Sequence, residues 1–331
     1  MDTFKKYLTI FVIPGNEFEF QGKSCLVTGG AGFIGSNLSR HLANLGAKVL
    51  VIDDFSMGRK ENTADFENLG ITLVNFDISD QKNTKKFFSD IDFVFHQAAI
   101  ASVPKSIKEP ILTNSSNLKG TLSVLENSRL QSVKKVVFAA SASAYGDTEI
   151  LPISESFPPS PLSPYAVEKL ASEMYCKTYF DNYGLSTTSL RYFNVYGPYQ
   201  DPNSEYSAVI PIFIKNALKN KTITIFGDGQ TTRDFVFVDD VVQANLQAAL
   251  YSESDGFVIN IAYGKSVTLT KLAEYIINKT KSDSGIVYEP FRKGDVLESL
   301  ADLSQAKKLL KYNPQFDLLS GLEKTIQFFA Q

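Results

Sequence analysis

The stretch CLVTGGAGFIGSNLSRHLANLGAKVLVIDDFSMG, residues 25–58, decides the fold. Leu26 and Val27 read as a strand. Ile34, Leu38, Leu42 and Leu45 then recur at helical spacing until Gly46, after which Val49 to Ile52 form a second strand. In the turn between, Gly30, Gly32 and Gly35 match G-x-G-x-x-G, and Gly29, Gly32 and Gly35 equally match the G-x-x-G-x-x-G variant. Glycine suits such a turn because a side chain would keep a pyrophosphate off the backbone, and because the tight turn needs angles that a Cβ disfavours. The helix that follows aims its first N–H groups at the phosphates. Asp53 closes the second strand 18 residues after Gly35, where a carboxylate accepts from ribose hydroxyls and repels a 2′-phosphate. The expected cofactor is therefore NAD rather than NADP. Arg59 and Lys60 argue the reverse, but read more simply as a solvated loop end.

Further along, strands at 72–77, 93–97, 135–140 and 186–193 alternate with helices near 81–88, 111–128 and 165–183. That alternation predicts an α/β chain with a Rossmann-type, doubly wound parallel sheet. Such sheets bind ligands past the carboxyl ends of their strands, which points to Thr28, Asp53, Asp77, Gln97 to Ala99, and Ser141. Ala98 and Ala99 are small where a flat nicotinamide needs room. Beyond Asn194 the units shorten between glycine turns, indicating a smaller α/β substrate lobe. Val236–Val238 and Phe257–Ile261 are expected to return from it to the main sheet. The expected division is an N-terminal extension over 1–21, a cofactor domain over 22–194 and a lobe over 195–331.

A chain of 331 residues with 44% hydrophobic content can bury one large core plus a smaller lobe. Its formal charge of −3 offers no basic field for nucleic acid or anionic membrane. The two cysteines, Cys25 on a strand and Cys176 on a helix, make no disulfide framework and suit a reducing compartment, the cytoplasm by default. The apolar run near the N-terminus is followed by Pro14, Gly15, Glu17 and Glu19 where a cleavage site needs small residues. No later run reaches the roughly 20 apolar residues of a membrane span. His41 and His96 fall on a helix and a buried strand, so neither a metal site nor histidine acid–base chemistry is expected.

Chemistry is concentrated where the strand at 135–140 runs into Ser141-Ala142-Ser143-Ala144-Tyr145-Gly146 and, 24 residues after Ser141, Tyr165-Ala166-Val167-Glu168-Lys169. On a helix Tyr165 and Lys169 are i and i+4 and share a face. An ammonium beside a phenol lowers its pKa from about 10, which makes Tyr165 the candidate general base.

The motifs TGGAGFIG, DDFSMG, SASAYGD, YAVEK, RYFNVYGP and FRKGD together resemble the extended short-chain dehydrogenase/reductases, in their nucleotide-sugar 4-epimerase branch, over nearly the whole chain from Gly22. The resemblance implies Ser141, Tyr165 and Lys169 as catalytic residues, with Ser143 lining the hexose pocket. It places NAD contacts at Gly29, Gly32, Phe33, Ile34, Gly35, Asp53, Ser56, Gly58, Asp77, Ile78, Gln97, Ala98, Ala99, Asn117, Lys169 and Val195. It places Ser102, Lys105, Asn194, Val209 and Ser299 on the substrate side, Arg233 and Arg292 on a diphosphate, and Asp295 near the nucleoside ribose. Paired guanidiniums suit a diphosphate because each donates charge-assisted hydrogen bonds. The resemblance further implies a UDP-sugar substrate and a homodimer built through a four-helix bundle around Asn117 and Tyr165.

Related 4,6-dehydratases and decarboxylases need an acid at 142–143, and here those positions are Ala142 and Ser143. Epimerisation is therefore the expected reaction. Ser299 falls where bulky residues restrict relatives to plain hexoses, so UDP-GlcNAc and UDP-GalNAc are the expected pair. UDP-uronic acids and UDP-Glc/UDP-Gal are the alternatives, and a non-catalytic NAD-binding regulator is the alternative from another class.

Overall fold

The computed structural model describes residues 19–202, 208–291 and 297–331. The chain opens with β1 (Ser24–Thr28), α1 (Phe33–Asn44) and β2 (Lys48–Asp53), followed by β3 (Thr72–Asn75), α2 (Gln81–Thr84) and β4 (Phe93–His96). Next come α3 (Val103–Lys108), α4 (Pro110–Asn114), α5 (Gly120–Leu130), β5 (Lys135–Ser141), α6 (Pro164–Tyr183), β6 (Ser186–Tyr192), β7 (Asn194–Tyr196), α7 (Val209–Ala217), β8 (Ile223–Phe226), β9 (Thr232–Phe237) and α8 (Val238–Leu250). Last are β10 (Val258–Ile261), β11 (Ser266–Thr268), α9 (Leu269–Thr280), β12 (Ile286–Glu289), α10 (Ser304–Leu310) and α11 (Leu318–Phe329).

Seven parallel strands in the order β10-β6-β5-β4-β1-β2-β3 form the main sheet. Side chains alternate through it. Val27, Val137 and Ala139 pack with Leu38, Leu42, Val241 and Leu246 on the α1/α8 face. Leu26, Val136 and Phe138 pack with Val124, Leu125 and Cys176 on the α5/α6 face. Both faces are covered, which is why these strands read as continuous apolar runs. Each fully buried Leu or Val contributes about 1.5–3 kcal/mol. The chain leaves β1 in one direction for β2 and β3, and in the other for β4 to β6, so the switch point lies between β1 and β4. Ligands of open α/β sheets bind there.

Four details differ from the sequence expectations. The helix near 81–88 is one α-turn followed by a 3-10 turn at Lys85–Phe87, and the helix at 111–128 runs from Pro110 to Leu130 through a π-turn at Ser115–Lys119. Phe20 is 1% exposed and packs on Phe93 and Phe95, so the core begins inside the expected extension. Phe257–Ile261 does return, since β10 pairs with β6 at the sheet edge. Val236–Val238 does not. β10 already occupies that edge, so β9 pairs instead with β7 and β11 in a separate three-stranded sheet, and Val238 starts α8. The lobe has its own core around Ile210, Phe213, Phe235, Leu272 and Leu322. Among the described residues no helix is long and apolar enough to cross a membrane.

Two glycines hold the switch point closed. Gly29 has φ +72°, and a Cβ on it would lie 2.5 Å from the Ala98 nitrogen; a Cβ on Gly35 would overlap the Gly29 carbonyl oxygen. Gly35→Ala is therefore expected to cost about 1–3 kcal/mol, lowering the thermal midpoint and the NAD carried by purified protein. Gly285→Ala, with nothing within 4 Å of the added carbon, serves as the control and stays near wild type.

Candidate active site

At the switch point a cleft is lined by Gly29, Gly32, Asp53, Ser56, Gly58, Asp77, Ile78 and Gln97 to Ala99, all of them sequence-expected cofactor residues. Phe33, Ile34 and Gly35 form the first turn of α1, whose N-cap Gly32 has no side-chain cap and whose first turn has no acid. Its N–H groups are thereby left for an anionic ligand. Asp53 is held by N–H groups of Ala31 at 2.9 Å and Phe55 at 2.8 Å, with acceptor capacity remaining on both oxygens. Burial pushes its carboxyl above the usual range, the two N–H bonds opposing that. Of the two residues that argued for NADP, Arg59 bonds Asp201 and pairs with Glu61, each at 3.4 Å, and Lys60 begins a 3-10 turn with its side chain exposed. A glycine cradle, an open helix N-terminus and a carboxylate at the second strand's end fit NAD.

The expected cofactor residues Asn117, Val195 and Lys169 do not line that cleft. Asn117 is buried, donating to Glu168 Oε2 at 2.6 Å and accepting from Ile100 N–H at 2.7 Å, while its neighbour Ser116 lines the cleft. Val195 lines a cavity in the lobe.

A second cavity, of about 380 Å³, opens past β5 and is lined by Ser141, Ser143, Asn194, Arg233 and Ser299. Ser141 ends β5 and caps the 3-10 turn at Ala142–Tyr145 by accepting from Ser143 N–H at 3.2 Å. The Ser163 hydroxyl caps α6 and Pro164 occupies its first turn, which puts Tyr165 at the helix start beside the end of β5. The Ser141 hydroxyl stands near enough to the Tyr165 phenol to favour its ionised form.

Lys169 corrects the sequence reading. Its Nζ donates to the Ala139 carbonyl at 2.7 Å and lies 4.9 Å from the Phe138 ring centre. Burial lowers its ammonium to about 8, although Glu173 and Glu168 oppose this. Tyr165 is raised rather than lowered: burial dominates, the Ser141 hydroxyl works against it, and Glu168 adds to it. Both groups are shifted toward their uncharged forms. Nearby His96 is fully enclosed between Thr28 Oγ1 at 2.7 Å and Thr121 Oγ1 at 3.0 Å, and burial pushes it down to about 3. No described cluster of three His, Cys, Asp or Glu side chains is placed to hold a metal ion.

On the far wall, Asn194 Nδ2 donates to the Asp234 carbonyl at 3.1 Å and to Ser299 Oγ at 3.3 Å. Asn194 and Arg233 also line a lobe cavity of about 590 Å³ with Val209, so the two cavities meet at these residues. Ser143 Oγ is buried with no hydrogen-bond partner among the described residues. Lys105 and Ser102 do not line the sugar-side cavity; helix α3 contributes Val103 and Ile107, and Ser102 caps α3 by accepting from Lys105 N–H. Arg292 and Asp295 lie outside the described residues. Sequence reasoning missed Tyr192 and Glu298, which also line the cavity. Tyr192 was visible in RYFNVYGP, and its hydroxyl bonds Gln97 and Asn245. Glu298 had only its place beside Ser299 to mark it.

A Rossmann cofactor cleft, with a serine at the end of β5, a tyrosine at the start of α6 and a buried lysine one turn on, is the arrangement of the extended short-chain dehydrogenase/reductases. The chain belongs to the NAD dependent epimerase/dehydratase family, whose sequence pattern matches residues 25–262. Among solved structures it is 38% identical to a UDP-N-acetylglucosamine 4-epimerase from Methanobrevibacter ruminantium M1 in complex with UDP-N-acetylmuramic acid, covering 93% of this chain and 98% of that one at TM-score 0.89. It is 40% identical to a UDP-glucose 4-epimerase from Thermotoga maritima with UDP-glucose, covering 92% and 98% at TM-score 0.88. It is 32% identical to a UDP-glucuronic acid 4-epimerase from Bacillus cereus with UDP-glucuronic acid and NAD, covering 92% and 98% at TM-score 0.84.

If Tyr165 is the general base the sequence suggests, Tyr165→Phe is expected to retain bound NAD and lose about 100-fold or more in turnover. Lys169→Ala should reduce both turnover and NAD retention. Absorbance of cofactor released on denaturation, measured beside steady-state rates, separates the two effects.

Proposed function

We propose that the protein is a UDP-sugar 4-epimerase whose preferred pair is UDP-GlcNAc and UDP-GalNAc. The observation that carries the reading is Ser141 on the wall of a cavity, with Ser163 and Ala166 on either side of Tyr165 lining it too, opposite Ser299, Asn194 and Arg233. NAD, held by the cleft from Gly29 to Ala99, would supply the hydride acceptor and donor that a C4 oxidation and its reversal need. Tyr165 takes the 4-hydroxyl proton and gives it back, while Ser141 orients that hydroxyl by a hydrogen bond. Lys169 and the cleft from Gly29 to Ala99 hold the cofactor, and Arg233 receives the diphosphate where the two cavities meet. The orphan hydroxyl of Ser143 suits a ligand rich in hydroxyl groups.

The lining also bears on the competing reactions. Ala142 and Ser143 offer no proton donor for elimination or decarboxylation beside Ser141. Glu298 is the one carboxylate among the described lining residues, and it sits exposed on the opposite segment. Arg233 is the one described cation there, so a C6 carboxylate would share it with a diphosphate and face Glu298. Like charges at such range disfavour binding, which favours neutral sugars over uronic acids. Ser299 leaves space for an N-acetyl group, but a small residue permits a large substituent without rejecting a small one. UDP-Glc is thus the second reading.

Comparing kcat/KM for UDP-GlcNAc, UDP-GlcNAcA and UDP-Glc in wild type and Ser299→Tyr tests the substrate. Wild type should prefer UDP-GlcNAc, and the tyrosine should reduce N-acetylated turnover by about tenfold or more while sparing UDP-Glc. Preference of the wild type for UDP-Glc overturns the assignment.

The assembly expected is a homodimer. Ile111 (84% exposed), Ile107 (64%), Met174 (60%) and Val167 (51%) lie on α3, α4 and α6, more apolar surface than isolated exposed residues explain. Two copies of α4 and α6 would close it about a two-fold axis. Sedimentation at micromolar concentration should give a dimer, and Ile111→Glu a monomer. A wild-type monomer at that concentration refutes it.

A further inference from the structure

Asp234 is 0% exposed and sits where three segments converge behind the sugar-side cavity. Its Oδ1 accepts from Tyr263 N–H at 3.0 Å, and its Oδ2 accepts from Gly264 N–H at 3.1 Å and from Ala301 N–H at 3.2 Å. The first two donors belong to the loop between β10 and β11, and the third to the segment that returns past Ser299. The peptide groups of Asp234 face the cavity wall itself: its carbonyl accepts from Asn194 Nδ2 at 3.1 Å, and its N–H donates to Ser299 Oγ at 3.4 Å. Its sequence neighbour, Arg233, lines both cavities.

We infer that Asp234 is a positioning residue for substrate recognition: its buried carboxylate clamps the returning segment to the β10–β11 loop, and so sets where Ser299, Asn194 and Arg233 stand. The inference rests on the epimerase reading for its kinetic consequence and on geometry alone for its structural one. A carboxylate is suited to the task because it accepts only, and every group it meets here is an N–H donor. An asparagine keeps one acceptor oxygen but turns an NH2 group toward donors, leaving at least one backbone N–H unpaired. The clamp lies on the substrate side, away from the Gly29 to Ala99 cleft, so its loss should act on KM and selectivity before it acts on kcat or on NAD.

A second variant removes the same bond from the other end. Ala301 donates its N–H to Asp234, whereas the bridge to Ile153 on either side uses Leu300 O at 2.8 Å and Asp302 N–H at 2.9 Å. Ala301→Pro thus deletes one donor and leaves that bridge its partners.

The experiment measures UDP-GlcNAc and UDP-Glc kinetics, NAD content and amide exchange in wild type, Asp234→Asn, Ala301→Pro and the double variant. Asp234→Asn should raise KM for UDP-GlcNAc about tenfold with kcat within about threefold, keep wild-type NAD content, and shrink the preference between the two sugars. Ala301→Pro should do the same, and the double variant should be no worse than Asp234→Asn alone, because both changes break one interaction. Exchange at Tyr263 and Gly264 should accelerate in Asp234→Asn whether or not the protein turns over any UDP-sugar. A wild type inert toward UDP-sugars would end the epimerase reading, and the exchange data would then decide the clamp by themselves. Unchanged KM with unchanged exchange in Asp234→Asn overturns the inference. If Asp234→Asn sheds NAD or fails to fold, Ala301→Pro decides, and a wild-type KM in that variant overturns it.

Discussion

Everything at the ligand-binding end depends on backbone meeting backbone where β1 and β4 part. The Gly29 Cα faces the Gln97–Ala98 peptide, and the Gly29 carbonyl faces Gly35, with no room for a Cβ at either glycine. That contact sets the height at which α1 begins relative to β4. It also fixes Ala31, whose N–H binds Asp53 and whose carbonyl accepts from Arg59 N–H at 3.0 Å and from Asn62 Nδ2 at 3.1 Å. The cofactor cleft is therefore in large part a consequence of how tightly two strand ends are joined.

The same economy recurs with buried carboxylates. Asp53 gathers the N–H groups of Ala31 and Phe55, Asp234 those of Tyr263, Gly264 and Ala301, and Asp240 those of Gln315 and Phe316. Burial raises each of these acids, Asp234 to about 6 and Asp240 to about 7, and the N–H donors oppose the rise. Three segments without regular structure are held this way, each by an acceptor that a neutral amide cannot replace without losing a bond. Together they tie the crossing chain ends to the strands that carry the site.

The first half of the fold was legible because covered parallel strands make uninterrupted apolar runs, and the turn after β1 admits only glycine at two places. Tyr165 and Lys169 were legible as a pair because i and i+4 share a helix face. Partner choice among strands was not. Val236 is as apolar as Ile259, yet one lies in the lobe and the other in the main sheet, since an apolar run states that a strand is buried but not beside which strand. Side-chain direction was equally hidden. Nothing in Ser-Val-Pro-Lys-Ser shows that Val103 and Ile107 line the cavity while Lys105 does not, nor that Asn117 turns toward Glu168 while Ser116 lines the cleft.

The electrostatic state of the Tyr165–Lys169 pair was the least legible feature, because spacing reports proximity and burial reports solvation. Tyr165 and Lys169 share a helix face, and that alone suggests an ammonium stabilising a phenolate. In the folded chain the ammonium is turned onto the Ala139 carbonyl and weakened to about 8, and the phenol is raised. Burial is the largest influence on each group and disfavours both charged forms. Glu168, bound by Thr113 at 2.8 Å and Asn117 at 2.6 Å, stands next to both and opposes ionisation of the phenol. Both groups are shifted toward their uncharged forms, yet an ammonium at about 8 keeps its proton at neutral pH, so the helix face they share does not by itself produce a phenolate.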